Sequence, residues 1–418
     1  MQIKNKQLRI LYSEPLLFLA FPLAFLNLLV MVLMLPIIKV RVGFLRCDRL
    51  GHFAANTELM ISEQKTLRTE EKYLDLFYYP RPVCNKQLAL MFERRLKVLP
   101  WFLLRPICLV VRNFTIFESF RVKEARGGDR DIDNLLDITE PALSFNDLEM
   151  QQGLLIMQKM GIKAHNKFIC MTVRDSEYLG ESSTRPNHQH RDSSINNFLL
   201  AAETLANKGY FVLRMGAKVK SHFISKNRMI IDYANSEFRS EFMDVFLGAR
   251  CEFCISTSTG FDAIPLIFRR PIVYASMVPP GGLFTFSSNM LAITKHHYDN
   301  KLKRYLTFEE TINSAVGFFV PAHKYIESEI QAIENTPEEI RDVVVEMADM
   351  VEGLISYCDE DVDLQNSFWS LYPKDAKDAS GVPLHGKIKS RYGSKFLKLN
   401  KWWVGKVEPN RTIVNTVE

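Results

Sequence analysis

A chain of 418 residues with 47% hydrophobic and 24% charged side chains can fill a large core, which excludes a disordered polymer. Its formal net charge of +5 is too small to mark a nucleic-acid binder; it favours anionic ligands or a membrane surface. Seven cysteines in so long a chain make no disulfide framework, and an odd number suits a reducing compartment.

Leu16 to Ile38 runs 23 residues without a charge. As a helix it would be ~35 Å long, enough for a hydrocarbon core of ~30 Å. Lys4, Lys6 and Arg9 precede it and Lys39, Arg41, Arg46 and Arg49 follow, so charge assigns no orientation. Pro22 and Pro36 make a re-entrant or in-plane helix the rival of a span, and a buried core helix is the third reading. The run lacks a small-x-small cleavage site, which argues against a signal peptide. Membrane association is the expectation.

Lys39 to Leu45 reads as a strand, and Phe53 to Glu63 as a helix after a glycine-bearing turn. Asp75 to Tyr79 reads as the next strand. Asn85 to Leu99 has helical spacing at Leu88, Met91, Phe92 and Leu96. Trp101 to Val111 is apolar but interrupted by Arg105 and Pro106, so it reads as core or membrane-facing surface and not as a second span. Ala125 to Asp137, with Gly127-Gly128 and a run of aspartates, is the linker candidate. A helix from Glu149 to Met160 follows.

The second half alternates more clearly. Strands are expected at Lys167–Val173, Tyr210–Arg214, Arg228–Asp232, Glu252–Ile255 and Pro271–Ala275. Helices are expected at Asp192–Asn207, Glu237–Arg250, Phe261–Phe268 and Pro337–Tyr357. Such alternation indicates a doubly wound, mostly parallel sheet. An acidic turn at Asp359–Asp363 and a basic tail from Lys387 to Lys406 complete the chain.

In an open parallel sheet, ligands bind beyond the carboxyl ends of the strands. Four polar clusters stand there: Arg174-Asp175, Arg214-Met215-Gly216, Asp232-Tyr233, and Ser256-Thr257-Ser258-Thr259-Gly260. Arginines suit phosphate oxygens, and a hydroxyl-glycine turn opening a helix offers backbone N–H groups to an anion. The hydroxyl run reads either as a helix cap, which accounts for one residue, or as a phosphate cradle. Asp244 reads as structural. The loop Arg185 to Asp192 reads as an anion- or sugar-contacting segment, with its HQH triplet lacking a third metal ligand. His296-His297 reads as solvated surface. Cys251 and Cys254 have metal spacing without a partner pair and read as buried structural thiols.

Walker A, GxGxxG and GxSxG are absent, and no DxD pair stands at a strand end, so a metal-held donor is not indicated. Basic and aromatic residues do not interleave on one element, which argues against nucleic acid.

The segment R-C-D-R-L-G-H-F-A-A-N-T-E (Arg46 to Glu58) resembles one found in a bacterial family of inferred glycosyltransferases among surface-polysaccharide genes. The likeness continues through Val173-Arg174-Asp175, Arg214-Met215-Gly216, Ile231 to Ser240, Met243 to Phe253, the hydroxyl-glycine turn, and Gly386 to Asn400. The turn is also similar to that of the heptosyltransferases, although this chain has four hydroxyls before the glycine. The resemblance implies a GT-B-like α/β fold: two Rossmann-like domains facing across a cleft, the second holding a nucleotide sugar.

The resulting expectation has four parts. Residues 1–38 form a hydrophobic membrane segment, 39–160 an acceptor domain, 161–335 a donor domain, and 336–418 a helical and basic extension. The expected activity is metal-independent glycosyl transfer, with no cofactor, from a nucleotide-sugar donor to a surface glycan or lipid-linked acceptor. The catalytic part would sit on the cytoplasmic side of the membrane. The donor would lie against Arg174, Asp175, Arg214, Gly216, Asp232, Tyr233 and Ser256 to Gly260. Arg174 would neutralise the leaving diphosphate, and Asp48, His52 and Glu58 are the candidates for the base. The alternatives are another transferase on this scaffold, pyruvyl or phosphosugar, and a membrane-tethered sugar-binding or scaffolding protein.

Overall fold

The computed structural model describes residues 15–66, 73–175, 177 and 189–405. Lys4, Lys6, Arg9, Lys406 and Arg185 to His188 lie outside the described residues. The chain forms two compact units, Met1–Asp129 with Ala142–Ser144, and Arg130–Pro141 with Phe145–Glu418. The division therefore falls near residue 129, and the expected boundary at 160 is displaced. Asp147–Lys159 is a helix of the second unit, where Gly153 lies so close to Phe246 that a Cβ would stand 2.3 Å from its ring.

The first unit is built on a parallel sheet of β1 (Lys39–Phe44), β2 (Tyr73–Tyr78) and β3 (Lys97–Val98), in that order. In β1, Val40 and Val42 are buried, while Arg41 turns the other way and meets Asp75 across the register with two 2.7 Å hydrogen bonds. Between β1 and β2 the helix Leu50–Thr66 is buried along most of its length. The helix Trp101–Asn113 forms despite Pro106, as the sixth residue of its run.

Among the described residues, no helix is both long and apolar enough to cross a membrane. The uncharged helix Pro15–Leu33 has its side chains described continuously only from Ala24, a stretch about 15 Å long at 1.5 Å per residue. Ala24, Leu28 and Met31, spaced four and three apart, share one buried cluster with Leu104, Ile107, Cys108 and Val111.

In the second unit the strands are β4 (Phe168–Thr172), β5 (Phe211–Arg214), β6 (Ile230–Ile231), β7 (Cys254–Ser256), β8 (Ile272–Met277) and β9 (Met290–Thr294). A small antiparallel sheet of β10 (His296–Asp299), β11 (Arg304–Tyr305) and β12 (Ile330–Ile333) follows, then β13 (Arg391–Tyr392). The main sheet has seven strands, all parallel, in the order β13-β9-β8-β7-β4-β5-β6. Every residue of β4, β7, β8 and β9 is buried, which is why these segments read as unbroken apolar runs.

Three expectations are corrected here. The stretch after residue 336 is no appendage, because β13 completes the sheet and the helix Pro337–Val351 packs on β8 and on Leu199–Asn207. Asp359, Glu360 and Asp361 open a helix, Asp359–Leu371, where acidic residues oppose the positive end of the helix dipole. His297 is 1% exposed and His296 is 2.9 Å from Glu339, because β10 is paired on both sides and neither imidazole reaches solvent freely. Cys170, Cys251 and Cys254 are buried free thiols.

Candidate functional site

From β4 the chain winds through β5 and β6 to one edge, then returns to place β7 on the other side of β4 and continues outward through β8 and β9. The direction reverses between β4 and β7, paired at Thr172 and Ser256. At such a switch point the loops leaving the two strands diverge and open a crevice at their carboxyl ends. Here those loops carry Arg174-Asp175 and Ser256 to Gly260.

The hydroxyl run largely binds itself. Ser256 Oγ donates to Asp262 Oδ2 at 2.7 Å and accepts from the N–H of Ser258 at 3.0 Å. Asp262 Oδ2 also accepts from the N–H of Thr259 at 3.0 Å. Thr257 Oγ1 accepts from the N–H of Arg174 at 2.8 Å, and the Thr257 N–H donates back to Thr172 O. Thr259 Oγ1 lies 3.1 Å from Thr172 Oγ1 and accepts from the N–H of Phe261. Four backbone amides of the turn, those of Thr257, Ser258, Thr259 and Phe261, are thus already satisfied, and the helix beyond is only Ala263–Ile267. Neither a simple cap nor an amide cradle describes the turn. Two of its hydroxyls, Thr257 and Thr259, lock the ends of β4 and β7 together, Thr257 fixing the backbone of Arg174, while Ser256 closes the turn on Asp262.

Ser258 is the exception. Its φ of +64° is left-handed, and its carbonyl accepts from Arg191 Nη2 at 3.0 Å, with Oγ 3.5 Å from the same atom. Arg191 also lies over the Phe319 ring, 5.6 Å from its centroid. Burial, and then the charge of Arg174, pull the Arg191 guanidinium down to about 10, opposed by Asp262 and Asp192. Arg174 Nε is 3.3 Å from Asp192 Oδ1. The Nε atoms of both arginines are buried without a hydrogen-bond partner among the described residues. Lys295, at the end of β9, is 2% exposed and donates to the backbone carbonyls of His190 and Asp192, which pins the segment that carries Arg191. Burial lowers the Lys295 amine as well. Three cations are thus gathered here with three carboxylates, Asp192, Asp262 and Glu334, and the two arginines, whose like charges oppose each other, are the groups suited to an anion.

Arg214 is 1% exposed and stands between Asp232, at 3.2 Å, and Asp175, at 3.8 Å. Asp175 accepts from the N–H groups of Glu177 and Lys220, and Asp232 from those of Phe223 and, through its side chain, Asn235. This row holds the loops after β5 and β6 and is structural. Gly216 belongs to it, since a Cβ there would lie 2.5 Å from Val219. Tyr233 is fully buried, donates to Asp244 at 2.9 Å and leaves no polar atom for a ligand, a correction to its expected role. Burial raises the Asp244 carboxyl despite its partners Arg239 and Tyr233.

In the first unit, Glu58 is 0% exposed and receives the N–H of Ala142 on both oxygens, at 3.0 and 3.3 Å. Substrate has no access to it, which removes it as a base. Asp48 pairs with Arg81 at 3.2 Å. His52, in the first turn of Leu50–Thr66, is one-third exposed with Nδ1 3.5 Å from Asp129 Oδ2. A carboxylate behind one ring nitrogen leaves Nε2 to accept a proton.

Sequence alone gives no signal that makes Arg191 or Lys295 a site residue. Arg191 lies in the polar loop marked as anion-contacting, but nothing local distinguishes it from Arg185. Lys295 follows an apolar strand and carries no motif. His190 stacks on Tyr325 with centroids 4.3 Å apart.

No family model matches the chain, and no curated protein matches it in sequence. Among solved structures it is similar to the Escherichia coli ADP-heptose lipopolysaccharide heptosyltransferase II, at 12% identity over 74% of this chain and 98% of that one, with a TM-score of 0.40. A glycosyl transferase family 9 protein from Veillonella parvula gives 11% identity over 61% and 85%, with a TM-score of 0.38. The E. coli heptosyltransferase WaaC with ADP gives 10% over 61% and 91%, with a TM-score of 0.29. All three TM-scores lie below 0.5, and the functional reading rests on the geometry of this chain.

Proposed function

We propose that the protein is a membrane-associated glycosyltransferase that takes a sugar from a nucleoside diphosphate sugar and passes it to a glycan or lipid-linked acceptor. The observation that carries this reading is the pairing of Arg174 and Arg191 at the β4/β7 switch point, against the hydroxyl turn at Ser258. Displacement at a sugar carbon leaves negative charge on the departing diphosphate, and fixed guanidinium groups stabilise that charge as it develops. Arg174 and Arg191 have the placement for this work. Asp192 and Ser258 hold them in position, and Lys295 steadies the residues on either side of Arg191.

The acceptor hydroxyl must lose a proton as it attacks. His52 backed by Asp129 is the assigned base, since Glu58 is sealed in the core and Asp48 is held by Arg81. The motif running from Arg46 to Glu58 also supports kinship with glycosyltransferases.

Thermal shift with UDP, GDP, CDP and ADP, followed by mass spectrometry of hydrolysed donor sugars, tests the reading. Stabilisation by one nucleoside diphosphate, abolished in Arg174→Ala, is expected. No shift with any of the four would sink it.

A further inference from the structure

The apolar amino-terminal helix does not stand alone. Its Ala24, Leu28 and Met31 face is buried with the helix Trp101–Asn113, so a second apolar helix lies directly beside it. Away from that buried face, Leu26, Leu29 and Leu33 of the first helix are 57%, 55% and 69% exposed. Trp101, Phe102 and Leu103 of the second are 48%, 57% and 45% exposed. Exposed apolar side chains gathered on two adjacent helices of one unit mark an interaction surface.

The charges around it select the occupant. Residues 94–117 contain five basic residues and no aspartate or glutamate, with Glu93 and Glu118 at the borders; residues 15–47 contain three, of which Arg41 and Arg46 are paired with Asp75 and Glu124. Arg94, Arg95 and Lys97 stand exposed immediately before the apolar run, and Arg105 follows it with its guanidinium 5.6 Å from the Trp101 ring. A tryptophan and long cations bordering aliphatic residues is the pattern of a surface seated at the boundary of headgroups and acyl chains.

We infer that the two helices together form a membrane-docking face that lies in the plane of an anionic bilayer, in place of a span by the first helix alone. To cross a bilayer alone the first helix would have to give up its packing on Leu104, Ile107 and Val111, whereas both helices can bury their exposed residues in one leaflet with that packing intact. The inference deepens the membrane part of the proposed function and is independent of the donor site.

The test floats the full chain with vesicles of phosphatidylcholine, with or without phosphatidylglycerol. Binding to the anionic vesicles, reduced by salt and lost about tenfold or more in Phe102→Glu but not in Phe102→Leu, is expected. Dibrominated lipid should quench tryptophan fluorescence in the wild type and much less in Trp101→Phe. Wild-type flotation by Phe102→Glu together with resistance to alkaline carbonate would overturn the inference in favour of a span. So would failure of the wild type to bind either vesicle. A nucleotide thermal shift on the same samples separates the two readings: flotation without any shift supports the docking face and removes the transferase reading alone.

Discussion

Arg191 holds the carbonyl of Ser258 at 3.0 Å, the one residue of the hydroxyl turn whose backbone is left-handed. The charge of the neighbouring Arg174 works against the Arg191 guanidinium, and Asp192 and Asp262 only partly relieve it. A bound diphosphate would supply the missing negative charge, so this contact is the first to probe.

Arg191→Ala should weaken diphosphate binding by roughly 10- to 100-fold, the loss of a charge-assisted hydrogen bond worth about 1.5–3 kcal/mol. The unliganded protein should lose little stability, because removing a buried cation beside another cation relieves repulsion. Titration calorimetry with ADP, UDP and pyrophosphate, alongside urea denaturation, reads both quantities. Unchanged affinity would place the anion elsewhere.

Arg214→Met should behave in the opposite way. Its guanidinium lies between Asp175 and Asp232, and its removal leaves two largely buried carboxylates facing each other. A loss of about 3–5 kcal/mol in urea is expected. If Arg214→Met folds with wild-type stability and only loses nucleotide binding, Arg214 is a ligand contact.

His52 and Glu58 separate on turnover. His52→Asn should lower kcat by about 10²- to 10⁴-fold with little change in stability. Glu58→Gln should instead reduce stability, since the buried Ala142 N–H loses a charged acceptor, and should leave the pH profile of the folded fraction unchanged. A shifted profile in Glu58→Gln would restore it as a base.

Two buried imidazoles set an acid limit on stability. Burial, then the charges of His296 and Lys295, hold His297 down to about 3; burial and Arg130 hold His385 down to about 4. The unfolded chain takes up these protons near the free-histidine value of about 6.5, so between the two values it binds more protons than the folded chain. Stability is therefore fully present above that value and falls as pH drops, by up to roughly 2 kcal/mol per histidine at about pH 5. Asp131, Asp244 and Glu346, raised by burial, act with the opposite sign. Comparing urea midpoints of wild type and His385→Asn at neutral and mildly acidic pH isolates one imidazole. An equal drop in both proteins would assign the acid lability to other groups.

Local pattern carried the element types well, with ends that shifted. The helix expected from Glu237 begins at Glu241 because the Ser240 side chain accepts from the Met243 N–H and caps it there. The helix expected from Asp192 begins as a 3-10 turn at Ile195, leaving Arg191 at the end of a separate 3-10 turn, Gln189–Arg191, from which it reaches Ser258. Tyr233 and Asp232 are adjacent in sequence, yet one enters the core and the other binds Arg214. No spacing rule separates them.

The sequence by itself determined that the second half is a buried parallel sheet, because strands covered on both faces must be continuously apolar. It also determined that the polar residues at their carboxyl ends are the candidates for chemistry. Only the tertiary structure decided that β7 returns to the far side of β4, since strand order depends on pairing between segments some eighty residues apart. That single placement brings Arg174, Arg191 and Ser258 together; Arg214, Tyr233 and Glu58 are consigned to support by their own tertiary partners, Asp175 and Asp232, Asp244, and the Ala142 N–H. The hydroxyl run is legible as a signal, but its hydrogen bonds are spent on joining two strands, and the charge it positions comes from elsewhere in the chain.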